Sequence, residues 1–178
     1  EKIETKISDV DKDKSKNIWV AAQQKGLYKI DSTIKFKQVE ATANENFNAI
    51  YFDLDNQLLA ATDEGLILFK TDGKKEIEPV CSINGFEGKK VKSLIPCDSL
   101  RNAFWVAVPG EGVYKILKAG SCYYIYSQIV EDLGSATMNI STLFVDHSRN
   151  LWVGLLGEGL RKISFDHLNI SNVLYINK

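Results

Sequence analysis

The sequence predicts an all-β fold built of β-propeller blades, and three observations lead to it. A twelve-residue pattern recurs four times with one glycine in register. The spacing of the copies suits a four-stranded blade. The repeated segments are rich in Val, Ile, Trp, Tyr and Phe, which prefer strands, and turn residues interrupt them every few positions. The copies read WVAAQQKGLYKI from Trp19, LLAATDEGLILF from Leu58, WVAVPGEGVYKI from Trp105 and WVGLLGEGLRKI from Trp152. Their glycines, Gly26, Gly65, Gly112 and Gly159, stand 39, 47 and 47 residues apart.

Each copy supplies four strands in order. The first is an apolar stretch ending in a polar turn: Ile7 to Asp11, Ala49 to Asp53, Val91 to Ile95 and Ile140 to Asp146. The second opens at Trp19, Leu58, Trp105 or Trp152 and is apolar throughout, as a strand covered on both faces should be. Leu58 is expected to take the place of the tryptophan in its copy. A short turn follows and ends at the shared glycine, where a positive φ is expected. The third strand (LYKI, LILF, VYKI, LRKI) is more polar. A weaker fourth covers Phe36 to Val39, Ile77 to Cys81, Tyr123 to Tyr126 and Val173 to Ile176. Residues 1–178 then form a single propeller segment with blades near 1–41, 42–84, 85–133 and 134–178. Stacked blades bury both faces of each small sheet.

The bulk composition sets bounds on function. Hydrophobic residues at 44% and charged residues at 25% match a folded domain rather than a disordered one. A net charge of -1 argues against a nucleic-acid binder, which needs a basic surface. No apolar run approaches the ~18 residues of a membrane helix, and no secretory signal is visible. The chain opens on Glu1, which reads as a mature or excised segment. The N-terminal lysines alternate with Asp9, Asp11 and Asp13, and a solvated strand and turn is expected there.

Several chemical motifs fail on inspection. Cys81, Cys97 and Cys122 have no metal-ligand spacing and read as small buried hydrophobes; a Cys81–Cys97 or Cys97–Cys122 bridge stays open. Asp9 to Asp13 imitates the start of a calcium loop, but Lys14 and Val20 occupy the required Gly and Glu positions. Asp146-His147-Ser148 holds triad residue types, yet sequence neighbours cannot form the relay. His147 and His167 are both read as turn residues. Asn139 and Asn169 fit the glycosylation pattern by chance. No metal and no cofactor are predicted.

The fourth copy, with Leu143, Val145, Asp146, Asn150, Leu151, Trp152, Val153, Gly154, Gly159, Leu160 and Ile163, closely resembles the two-component regulator propeller repeat. The first copy keeps Asn17, Ile18, Trp19, Val20, Gly26 and Leu27. The second lacks the Trp, and the third has Ala107 and a longer first turn. This resemblance covers nearly the whole chain. It implies the periplasmic sensor region of a bacterial hybrid two-component histidine kinase, a non-catalytic module that binds a glycan-derived oligosaccharide. No kinase, receiver or membrane-spanning segment is read in the chain, so the signalling output is expected from other parts. A protein–protein scaffold is the alternative, followed by a propeller lyase or hydrolase.

Four copies are fewer than the roughly seven expected of such a propeller. A fragment, a four-bladed ring and a self-associating arc all fit that number, and the arc is favoured because open blade faces would be apolar. Turns between the second and third strands share one end of a blade with the connections between blades. The ligand-binding candidates are therefore Gln23, Gln24, Lys25, Asn44, Asn46, Phe47, Asp63, Glu64, Glu111, Met138, Asn139 and Glu158. Glu64, Glu111 and Glu158 each precede a shared glycine and could present equivalent carboxylates.

Overall fold

A computed structural model describes residues 3–71, 77–97, 102–130, 139–166 and 169–176. Its strands form four sheets, each of four strands in sequence order, and every pairing is antiparallel. The first sheet holds β1 (Ile7–Lys12), β2 (Ile18–Ala22), β3 (Gly26–Ile30) and β4 (Phe36–Gln38). The second holds β5 (Phe47–Phe52), β6 (Gln57–Thr62), β7 (Leu66–Lys70) and β8 (Glu78–Ser82). In the third are β9 (Ser93–Pro96), β10 (Ala103–Val108), β11 (Gly112–Ala119) and β12 (Cys122–Ile129). The fourth has β13 (Ile140–Val145), β14 (Leu151–Leu155), β15 (Gly159–Asp166) and β16 (Asn169–Ile176). These are propeller blades, and they fall into two compact units, 1–91 and 92–178, with two blades each. No described helix is long and apolar enough to cross a membrane.

In the first unit, Trp19, Ala21 and Leu27 on one face of the first blade pack against Ile50, Leu58, Ala60 and Phe69 of the second. Trp19 is 0% exposed, and its ring meets Phe52 at 5.4 Å between centroids. In the second unit, Trp105, Ala107 and Val113 pack in the same way against Leu143, Leu151, Val153 and Ile163. Burying such faces removes apolar area from water at about 25 cal/mol per Å², which is why a blade needs a neighbour.

A turn locked by an aspartate positions Trp19 and Trp152. Asp13 accepts hydrogen bonds from the Asn17 amide (2.9 Å), Asn17 Nδ2 (2.7 Å) and Trp19 Nε1 (3.1 Å). Asp146 repeats the arrangement with the Asn150 amide (2.9 Å), Asn150 Nδ2 (2.8 Å) and Trp152 Nε1 (2.8 Å). Directly across the hairpin, a lysine sits over each ring: Lys29 over Trp19, Lys115 over Trp105 and Lys162 over Trp152, at 5.2 to 5.4 Å. Each such contact contributes roughly 0.5–1 kcal/mol.

The second blade corrects the ungapped alignment. Asp53 closes the same turn on the amides of Asp55 and Gln57. Counting from that turn, Leu59 stands where Trp19 stands. It pairs with Tyr51 and Leu68, as Trp19 pairs with Asp11 and Lys29. Leu58 therefore does not replace the tryptophan; its side chain faces back onto the first blade. The slip arises because this hairpin has two turn residues, Asp63 and Glu64, where the first blade has three.

Two other expectations change. The fourth strands β12 and β16 run for eight residues each, longer than expected, because β11 and β15 are equally long and each pairing absorbs one bulge. Their mixed polar and apolar sequence hides them. The N-terminal aspartates do not form a solvated turn. Asp9 and Asp11 lie in β1 and accept the amides of Ile50 (2.9 Å) and Phe52 (2.6 Å) on β5, and Asp13 is buried. These carboxylates satisfy edge amides that would otherwise lie unpaired in the seam. Burial raises the pKa of Asp9 above its ordinary value, against the opposing effect of the Ile50 and Val10 amides.

Candidate functional site

The turns between second and third strands form one end of each blade, beside the start of its first strand. In the first blade, the Gln23 amide donates to Lys6 O at 2.9 Å, and the Gly26 amide donates to Glu45 O at 3.2 Å. The turn at 23–25 and the connection at 42–45 therefore meet, as the sequence predicts. The shared glycine is required twice over. Gly26 has φ +73°, and a Cβ there would lie 2.1 Å from Thr42 O. At Gly112 the same clash is with Ile129 O, at 2.3 Å. The connecting backbone passes where a side chain would be.

Two pairs of candidates are brought together at these ends. In the second blade, Asp63 accepts from Asn46 Nδ2 (2.6 Å) and Asn48 Nδ2 (2.9 Å), and Lys90 Nζ lies 2.9 Å away. Asn46 Oδ1 is buried without a hydrogen-bond partner. Burial would raise the Asp63 pKa, but Asn48, Lys90 and Asn46 together outweigh it and lower it. In the fourth blade, Glu158 Oε1 accepts from Asn139 Nδ2 at 2.7 Å. Asn46 and Asn139 hold the same position, one residue before β5 or β13, and each reaches the acid in the hairpin turn of its own blade. Beside the second pair, Leu156 at the turn tip is 75% exposed. Each end thus offers an amide and a carboxylate side by side, the groups that orient a polyhydroxylated ligand.

The other candidates are distributed less tightly. Gln24, Lys25, Asn44 and Glu64 are exposed, Gln23 is half-buried, and Asn44 and Gln24 both have positive φ. Glu111 accepts from the Tyr114 hydroxyl at 2.5 Å, and Gln128 Nε2 donates to that hydroxyl at 2.8 Å. Burial first, then the Glu111 carboxylate, pushes the Tyr114 hydroxyl pKa up. Phe47 is a correction: it is 0% exposed and packs in the core of the first unit, so it cannot offer a platform to a ligand. Met138 and His167 lie outside the described residues. His147 sits in the exposed turn between β13 and β14, at the opposite end of its blade from the β14–β15 turn.

Sequence reasoning missed Asn48, Lys90, Gln128 and Leu156. Asn48 carried no periodic signal, because β5 shifts register between Phe47 and Ala49 and simple alternation fails there; Lys90 is too distant in sequence from Asp63 to show one. Among the described residues no group of three or more His, Cys, Asp or Glu could hold a metal ion. Cys97 is a buried thiol, so neither bridge considered from the sequence, each of which used it, is formed.

No protein-family model matches the chain, and no curated protein matches it by sequence. Solved structures do match. The extracellular domain of the hybrid two-component system BT4673 from B. thetaiotaomicron aligns with TM-score 0.69 at 15% identity, covering 97% of this chain and 25% of that one. The corresponding domain of BT3049 from the same organism aligns with TM-score 0.62 at 16% identity, over 86% of this chain and 21% of that one. A streptogramin B lyase aligns with TM-score 0.71 at 10% identity, over 99% and 57%. The chain spans about a quarter of the length of these sensor domains. At such identities the likeness is one of fold, and it places the chain among β-propeller structures that include extracellular sensor domains and lyases.

Proposed function

We propose that this chain is a ligand-sensing propeller segment of a bacterial hybrid two-component sensor, exposed to the periplasm, which binds a glycan-derived oligosaccharide without catalysing a reaction on it. The observation that carries this reading is the repeated pair of an asparagine amide and an acid, Asn46–Asp63 and Asn139–Glu158, at the turn end of two blades. The exposed Leu156 beside the second pair adds the apolar surface on which a sugar ring can rest. The shared fold with sensor extracellular domains supports the same reading. Self-association of copies through open blade faces is part of the proposal.

The test is a thermal-shift screen against an oligosaccharide panel. A ligand bound only by the folded chain stabilises it by about 2.7 kcal/mol at a hundredfold excess over Kd. A sugar that raises Tm, with the rise lost in Asn139→Ala, supports the proposal; a panel without any shift counts against it. The lyase fold favours a second reading, a propeller enzyme. Mass spectrometry of the stabilising sugar after long incubation separates the two, since a sensor returns it unchanged.

A further inference from the structure

The blade-on-blade seams inside the two units share one rule. The tryptophan-bearing face of one blade meets the face of the next blade that carries Leu58 or Leu151. Strand pairing makes the positions equivalent. Ile18 of the first blade corresponds to Leu58 and Leu151, because it pairs across its hairpin with Ile30 as they pair with Phe69 and Ile163. Val10 corresponds in the same way to Ile50 and Leu143. In the second and fourth blades these positions are buried. In the first blade Val10 is 51% and Ile18 38% exposed. This is a receiving face without a blade seated on it.

The fourth blade carries the opposite half. Its Trp152 has the aspartate clamp and the overlying Lys162 of a seam tryptophan, but it is only half-buried. Phe144, its cross-strand partner on the same face, is 60% exposed. Leu174 and Ile176, paired with Lys162 and Leu160 on that face, are also exposed. One chain therefore bears both halves of one missing seam, in the residue positions that make the seams it already has.

The geometry points to a second copy of this chain as the occupant: the Trp152 face of one copy docks head to tail on the Ile18 face of another. This rests on the self-association proposed above and specifies which faces meet and in what order. A head-to-tail contact joins two different surfaces, so it can be dissected by complementation.

Light scattering over a concentration series is expected to show a molar mass at least twice that of the chain. Ile18→Glu and Phe144→Asp are each expected to reduce it to the monomer, with unchanged far-UV circular dichroism showing that the blades still fold. Mixed together, the two variants are expected to form a one-to-one dimer, because the intact Trp152 face of the first fits the intact Ile18 face of the second. If wild type assembles and Ile18→Glu assembles equally well, or if the mixture stays monomeric, the head-to-tail docking is wrong and self-association of another kind stands. A wild-type chain that is monomeric at every concentration overturns both.

Discussion

The aspartate-locked tryptophans of the first and fourth blades make the same hydrogen bonds in opposite surroundings. Asp13 holds Trp19 inside a seam, where the ring is fully buried against Phe52. Asp146 holds Trp152 on a face that remains half open. The clamp is therefore set by the local sequence, an aspartate followed by asparagine at the fourth position and tryptophan at the sixth, and does not need the next blade. Burial is added afterwards by whatever blade arrives. The carboxylates register the difference. The Asn150 and Trp152 hydrogen bonds bring the Asp146 pKa down to about 2. At Asp13 burial opposes the Asn17 and Trp19 hydrogen bonds, and these still lower the pKa.

The comparison breaks most visibly at the rings. Trp19→Ala is expected to cost about 3–5 kcal/mol in chemical denaturation, as a buried aromatic truncation does. Trp152→Ala, measured in the Ile18→Glu background to exclude assembly, should cost about 1–2 kcal/mol. Equal losses would show that burial is not what separates the two sites. Next in size is Gly26→Ala, expected to cost about 2–3 kcal/mol because the new Cβ meets Thr42 O as well as an unfavourable φ. Gly157→Ala is the control: φ is +82° with nothing within 4 Å of the added carbon, so only about 1–2 kcal/mol of backbone strain is expected.

Acid titration sharpens the comparison further. Asp146 titrates lower in the folded chain than its ordinary 3.8. Its contribution to stability is thus complete above that value and is lost as pH falls toward about 2. Wild type should lose its advantage over Asp146→Asn across that window, followed by circular dichroism. Asp9 has the opposite sign. Its raised pKa means that the charged form is disfavoured by folding, and acidification relieves that cost. Asp9→Asn keeps an acceptor for the Ile50 amide and should change stability by less than about 0.5 kcal/mol in the same melts.

Much of this architecture was legible because blades repeat their local chemistry. The tryptophan strands, the shared glycines and the Asp-to-Trp spacing all lie within short windows of sequence. The need for Gly26 was half legible: a turn suggests positive φ, but the approach of Thr42 O is a contact made by the connection to the next blade. The second blade misled because LLAAT is apolar in either register, and only the turn at Asp53 and the missing turn residue fix which leucine faces where. Asp9 and Asp11 looked solvated because nothing in their own strand shows that a neighbouring strand needs acceptors. At the candidate site, Asn46, Asp63, Asn139 and Glu158 were singled out as turn-end residues, while their pairing and the recruitment of Asn48 and Lys90 depend on strand register. Phe47 was misplaced because it opens a strand and reads as the last residue of a loop.

If the turn ends of the blades are the ligand surface, backbone amide shifts read it most directly. On titration with the oligosaccharide found by thermal shift, amide resonances of the Asp63–Glu64 and Leu156–Glu158 turns and of Asn46 and Asn139 should move together in a saturable way, with the His147 turn unmoved. Shifts confined to the His147 end, or none at the asparagine–acid pairs, would contradict it.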